Sequence, residues 1–125
     1  MNRLRQLVLA LAALLITGPA FAANLYISEF TNGLAQVGST QPQIFPQAAL
    51  ADQTVAVGGA SVQSAAFNSK THAVMLVCDT GCSIAIGGNP TATTSNYLLF
   101  KGAPMKFGVI PGQKIAVIAN LAGGT

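Results

Sequence analysis

The most constraining feature of the sequence is an alternation of apolar residues on both sides of one short turn. Residues 74–78 and 82–86 place every second apolar side chain on one face, and Asp79-Thr80-Gly81 lies between them. A period of two is typical of β-strands, and three residues ending in glycine are typical of a hairpin loop. The pattern predicts a hairpin that pairs residue 78 with 82, 76 with 84 and 74 with 86. The glycine is expected to adopt the positive φ that such loops favour.

The two cysteines of the chain, Cys78 and Cys82, lie at the two ends of this turn. A thioredoxin-type redox site is not indicated, since it needs two residues between its cysteines and a helix N-terminus. Structural zinc needs four ligands, and His72 with one acid would have to complete the set. No metal and no cofactor are therefore predicted. The spacing leaves a disulfide and two free buried thiols open, and for an exported protein the Cys78–Cys82 disulfide is predicted.

The N-terminus has the three parts of a secretory signal peptide. Arg3 and Arg5 precede an apolar run over residues 7–16, and Gly18-Pro19 is followed by Ala20-Phe21-Ala22. Residues 1–22 are predicted to be a signal peptide cleaved near Ala22, or an N-terminal hydrophobic helix that provides the membrane contact if it is retained. Residues 23–125 then form a single domain. The expected location is the periplasm or the extracellular space, or a virion.

Removal of residues 1–22 takes two of the six basic residues with it. The remainder has four lysines and no arginine against three acids, a net charge of +1. Phosphate binding requires a cluster of lysines and arginines, whereas these lysines are scattered along the chain. No nucleic-acid partner is therefore predicted.

Short strand patterns separated by turn residues continue along residues 23–125. Glycine, proline and asparagine interrupt the chain repeatedly, and residues typical of exposed helix faces are rare. Strands are predicted at residues 25–30, 54–57, 62–67, 74–78, 82–86, 97–100, 105–110 and 114–119. We therefore predict an all-β fold after the signal-like apolar helix. It is a small antiparallel β-sandwich or barrel of about seven or eight short strands.

The residues available for catalysis are few. Residues 23–125 contain one histidine and three acids, Glu29, Asp52 and Asp79. No G-x-S-x-G motif marks a nucleophilic serine, and the glycine pairs 58–59 and 87–88 lack the lysine of a phosphate-binding loop. A glycosidase needs two acids flanking a sugar, and the sequence singles out no such pair. The protein is predicted not to be an enzyme.

Several segments share a pattern of strands and turns with a known group of proteins. They are Ser61-Val62-Gln63-Ser64-Ala65-Ala66-Phe67, Cys82-Ser83-Ile84-Ala85-Ile86-Gly87, Asn89-Pro90-Thr91-Ala92-Thr93, Phe107-Gly108-Val109 and Gly112-Gln113-Lys114-Ile115-Ala116-Val117-Ile118. In this pattern the chain resembles small β-rich proteins of tailed bacteriophages. Such proteins are usually associated with the virion as decoration or accessory head or tail components. The resemblance implies a structural role without catalysis, with capsid or tail proteins or further copies of the chain as partners.

The predicted function is that of a non-enzymatic accessory protein of a phage particle, and a homo-oligomer is expected. The alternative is a secreted or periplasmic bacterial β-sandwich that binds a partner, which the export signal favours. Binding residues concentrate on loops, so the polar segment at residues 87–96 and residues 41–47 are the candidate recognition surfaces.

Overall fold

The computed structural model describes residues 23–31 and 48–125, so the predictions for residues 1–22 and 41–47 lie outside the described residues. The described chain contains eight β-strands and one turn of 3-10 helix at Leu121–Gly123. The strands are β1 (Ala23–Phe30), β2 (Ala51–Val57), β3 (Val62–Gln63), β4 (Ala73–Cys78), β5 (Cys82–Gly87), β6 (Tyr97–Leu99), β7 (Met105–Gly108) and β8 (Lys114–Ala119). In these two ranges no helix is long and apolar enough to cross a membrane.

The strands divide equally between two antiparallel sheets. Sheet A has the order β2-β1-β4-β7, and sheet B has the order β3-β8-β5-β6. Between consecutive described strands, five of the seven connections pass from one sheet to the other, and two, β1 to β2 and β5 to β6, stay within a sheet. The predicted all-β fold is confirmed, as two four-stranded sheets arranged in the manner of a jelly roll.

All eight predicted strands are present, with ends that differ by up to four residues. The largest difference is at β3, which was expected to continue to residue 67 and ends at Gln63. The chain beyond it still follows β8, because the Ser64 amide donates to Ile115 O at 2.7 Å and the Phe67 amide to Gln113 O at 2.8 Å. Two isolated bonds do not make a regular ladder, so the strand ends early.

The hydrophobic core lies between the two sheets. Inward-facing side chains alternate along each strand, as the period of two requires. Sheet A contributes Leu25, Ile27, Val55, Val74 and Leu76, and sheet B contributes Ile84, Leu99, Ile115 and Val117. Phe67 and Val109 join this cluster from the connections.

Residues 79–81 do not close a hairpin, and the predicted pairing of 78 with 82, 76 with 84 and 74 with 86 is wrong. β4 pairs with β1 and β7 in sheet A, whereas β5 pairs with β6 and β8 in sheet B. The three residues therefore form a corner between the sheets. The alternation on both sides of the corner is real, because the inner face of each sheet meets the same core.

Gly81 is required by packing and not by its backbone torsion. Its φ is not positive, so that prediction is wrong. A Cβ at this position would overlap the backbone oxygen of Asn120 and would lie 2.5 Å from the Cα of Gly123. The Gly81 amide donates to Gly124 O at 2.6 Å. The C-terminal segment is thus held directly against the corner.

Candidate functional surfaces

Cys78 is the last residue of β4 and Cys82 is the first residue of β5, and a disulfide joins them. Their Cα atoms are 6.6 Å apart, and both side chains are fully buried. The bridge therefore connects sheet A to sheet B across the corner, and does not brace a hairpin. Because both sulfur atoms are bonded to each other, neither serves as a thiolate ligand or nucleophile.

His72 lies just before β4, at the end of the strand opposite the disulfide. Cys78 lies six positions further along the extended chain, which corresponds to about 20 Å. The His72 side chain is exposed. Within residues 23–31 and 48–125, no group of three or more His, Cys, Asp or Glu side chains is placed to hold a metal ion. Among these residues, His72 and an acid are therefore not assembled with the two cysteines into a zinc site.

The three acids point in different directions. Glu29 lies inside the sandwich with only 1% of its surface exposed, whereas Asp52 lies on the outer face of sheet A and accepts a hydrogen bond from Ser28 Oγ at 2.7 Å. Asp79 is at the corner and accepts from the Tyr26 hydroxyl at 3.2 Å. Glu29 and Asp52 therefore belong to opposite faces of one sheet and cannot flank a common substrate.

Glu29 is a buried carboxylate held by neutral donors. Its Oε1 accepts from the Asn68 amide and from Thr71 Oγ1, both at 2.8 Å, and its Oε2 accepts from Gln53 Nε2 at 3.0 Å. These bonds tie the connection between β3 and β4 to β1 and β2. Sequence reasoning missed this role, although a signal exists: Glu29 occupies the inward position that Leu25 and Ile27 occupy earlier in β1.

Residues 88–96, which we call the strap, run across the outer face of sheet B. At one side Gln63 Nε2 donates to Pro90 O at 2.7 Å, and the Ala92 amide donates to Ser61 Oγ at 2.8 Å. At the other side Asn120 Nδ2 donates to Thr94 O at 3.1 Å. The strap is therefore a fixed layer of the fold, attached at β3 and at the residue that follows β8.

Small residues on the outer face of sheet B make room for the strap. Ser83 and Ala116 point outward from β5 and β8, yet both are fully buried. Ser83 Oγ also accepts from Asn120 Nδ2 at 2.9 Å. Within the strap Ala92 is only 3% exposed, whereas its hydroxyl-bearing residues, Thr91, Thr93, Thr94 and Ser95, face solvent. The strap therefore presents an ordered, uncharged, hydroxyl-rich surface.

The outer face of sheet A, which we call the open face, is not crossed by any segment in the described ranges. Its centre is formed by Tyr26, which is 44% exposed, and by the half-buried side chains of Met75 and Val77. The exposed Asp52 lies on the β2 edge of the open face and the exposed Lys106 on the β7 edge. Among the described residues the sandwich is thus asymmetric, because the strap lies on the outer face of sheet B and no described segment crosses the outer face of sheet A.

No family model matches the chain, and no curated protein and no solved structure matches it.

Proposed function

We propose that the chain is a non-enzymatic structural protein that acts by occupying a surface, as an accessory component of a bacteriophage particle. The observation that carries this proposal is the asymmetry of the sandwich. The strap covers the outer face of sheet B, whereas no described segment crosses the outer face of sheet A, where Tyr26, Asp52 and Lys106 are exposed. A sandwich that exposes aromatic and charged side chains on one sheet is suited to contact with a neighbour in an assembly.

The interior of the sandwich supports a structural role. Every buried side-chain nitrogen and oxygen in the described residues has a hydrogen-bond partner. The side chain of Glu29, the one acid that is buried in the described residues, accepts hydrogen bonds from three internal donors. A satisfied network of this kind rigidifies a fold.

The phage assignment rests on the resemblance, and the structure indicates where the resembling segments lie. Four of the five belong to β3, β5, the strap and β8, and the fifth belongs to β7 in sheet A. They therefore constitute most of sheet B together with the layer that covers it. By fold-level analogy alone, jelly-roll sandwiches are also used in viral capsid domains.

The composition of purified particles tests this proposal. Mass spectrometry of phage particles from the native source should detect peptides from residues 23–125 at a copy number proportional to a capsid or tail protein. A variant with Met75→Lys on the open face should be depleted from particles, whereas Leu121→Lys, at an exposed position away from that face, should be retained. Absence of the wild-type protein from particles would overturn the proposal.

A second function, an exported binding module, is favoured by the buried disulfide. Disulfides persist in oxidising compartments such as the periplasm and the extracellular space. In that case the strap, with its row of exposed hydroxyls, is the candidate recognition surface. Cell fractionation with intact-mass measurement distinguishes this function, because an exported protein would be recovered outside the cytoplasm with residues 1–22 removed and two hydrogens fewer than the reduced form.

A further inference from the structure

β1 begins at Ala23, the residue that directly follows the predicted cut after Ala22. Ala23 pairs with Val57 of β2, so the ladder with β2 starts at the first residue beyond the cut. Ala23 and Asn24 are half-buried, and the side chain of Leu25 is fully buried. No linker therefore separates the predicted cut from the folded sheet.

The same end of β1 is also held on its other side. The backbone oxygen of Asn24 accepts from the Asp79 amide at 2.9 Å, and Leu25 pairs with Cys78 at the end of β4. Cys78 and Asp79 belong to the corner, where the disulfide joins β4 to β5. From Asn24 onward, β1 is therefore engaged both by β2 and by the corner.

A peptidase that removes a signal peptide must bind the chain around the cut in an extended form. Such binding resembles the addition of a strand to a sheet, in which backbone groups of the bound segment pair with the host. In the folded chain Asn24 and Leu25 are already paired on both sides, so β1 has no free backbone edge to offer. Proteolysis of a segment of this kind requires that the segment first opens.

We propose that sheet A protects the bond between Ala22 and Ala23, so that residues 1–22 can be removed only before β1 takes its place in the sheet. A chain that is cut first is released as the domain of residues 23–125. A chain that folds first keeps residues 1–22 and, with them, the membrane contact. The order of cutting and folding thus determines which of the two locations the chain reaches. Neither event requires a phage particle.

The order of the strands along the chain gives the cut its opportunity. β1 pairs with β2 and β4, which begin at Ala51 and Ala73, whereas β1 begins at Ala23. When the chain is exported from its N-terminus, β1 therefore emerges before both of its partners. A strand without partners is not stable in water. The bond after Ala22 thus stays accessible until enough of the chain has emerged to form sheet A.

Cutting of the purified, uncleaved chain tests the proposal. The full chain is produced uncleaved, refolded in mild detergent with its disulfide oxidised, and incubated with a purified bacterial signal peptidase. The comparison is Leu76→Asp, which places a charge at a fully buried position of β4 and prevents folding while it leaves residues 1–31 unchanged. The folded chain should be cut at least about 100-fold more slowly than Leu76→Asp, because cutting follows the small population in which β1 is open. Intact mass identifies the cut.

Two folded variants separate protection by the sheet from other causes of resistance. Thr94→Asp, at an exposed position of the strap, should be as resistant as the wild type. In the second variant a spacer of about eight residues, Ala-Asn followed by glycine and serine, is inserted between Ala22 and Ala23. The spacer keeps the residues that flank the cut and moves the cut away from the sheet. This variant should be cut as fast as Leu76→Asp, and circular dichroism verifies that it is folded.

Three results would overturn the proposal. A folded wild-type chain that is cut as fast as Leu76→Asp would show that the sheet does not protect the bond. A folded spacer variant as resistant as the wild type would assign the resistance to another cause. A Leu76→Asp chain that is not cut at all would remove the cut after Ala22. None of these results changes the phage assignment, because that assignment is tested on purified particles.

Discussion

Gly81 and Gly123 pack backbone against backbone at the corner of the sandwich. A Cβ on Gly81 has no space, and a Cβ on Gly123 would lie 2.7 Å from both the Cα of Gly81 and the carbonyl oxygen of Leu99. We expect Gly81→Ala to lower the free energy of unfolding by about 1–3 kcal/mol, because backbone atoms cannot move aside as a side chain can. Urea denaturation of the oxidised protein measures the loss.

Gly88 provides the matched control for that substitution. It is exposed, its φ is not positive, and nothing lies within 4 Å of a Cβ built on it. Gly88→Ala should change the stability by less than about 0.5 kcal/mol. If the two substitutions had equal effects, the close approach at the corner would not explain the glycine.

Glu29 illustrates how a single buried acid can organise a connection. The substitution Glu29→Gln replaces one carboxyl oxygen with an NH2 group, which can only donate. That group must face either Gln53 Nε2 or the Asn68 backbone amide and the Thr71 hydroxyl, all of which already donate to this position. We therefore expect a loss of about 1–3 kcal/mol, although the shape of the side chain is conserved. Urea denaturation with Asp52→Asn as the exposed control, expected within about 0.5 kcal/mol of wild type, measures the difference. An unchanged free energy of unfolding in Glu29→Gln would show that the hydrogen bonds of Glu29 do not stabilise the fold.

At the level of elements, alternation predicted the strands but not their partners. A period of two reports which side chains are buried, and both inner faces of a sandwich are buried against one core. The three residues 79–81 can therefore close a hairpin or turn a corner with the same pattern on each side. Strand pairing depends on which backbone edges the whole fold brings together, and the local alternation of side chains does not report this.

The strap was predicted as a polar loop for a similar reason. Its hydroxyls and asparagines are typical of solvent-exposed connections, and all six of these residues are exposed. What attaches the strap to sheet B is a set of distant partners, such as Ser61 and Asn120, that are 31 and 26 residues away along the chain. Hydrogen bonds to such distant residues leave no pattern in the sequence of the strap itself. The small outward residues Ser83 and Ala116 were the visible clue, since a large side chain there would exclude a covering layer.

The corner disulfide adds a covalent side-chain link between the two sheets to the links that the backbone provides. Closing a loop with a sequence separation of 4 contributes about 2 kcal/mol in the chain-entropy model. We expect the double variant Cys78→Ala, Cys82→Ala to fold with a stability lower by about that amount, plus the cost of the small cavity left behind. The urea midpoint of the wild type should fall similarly after reduction. Thiol titration of the unfolded, unreduced protein should find no free thiol, and two free thiols would contradict the bridge.

At the scale of the whole molecule, the two ends of the described chain meet at the corner. The Asp79 amide donates to Asn24 O at 2.9 Å, and the Gly81 amide donates to Gly124 O at 2.6 Å. Asn24 near the start of β1 and Gly124 after β8 are therefore both bonded to one three-residue corner. β1 also lies in the middle of sheet A, between β2 and β4. The fold thus requires β1 between β2 and β4 in sheet A, but it does not require β1 to precede the other strands along the chain.

A circular permutant tests this topology. Its chain begins at residue 32, continues to Thr125, passes through a linker of about six glycine and serine residues, and ends with residues 23–31. Such a linker spans up to about 20 Å, which is sufficient for two segments bonded to the same corner. We expect the permutant to fold with the Cys78–Cys82 disulfide intact and a stability within about 2 kcal/mol of the unpermuted chain, since neighbouring termini tolerate permutation. Far-UV circular dichroism and urea denaturation measure both properties.

A second permutant opened between Val117 and Ile118, inside the central strand β8, should fail to fold cooperatively. If the first permutant also lost its cooperative transition, the placement of β1 beside the corner would be wrong.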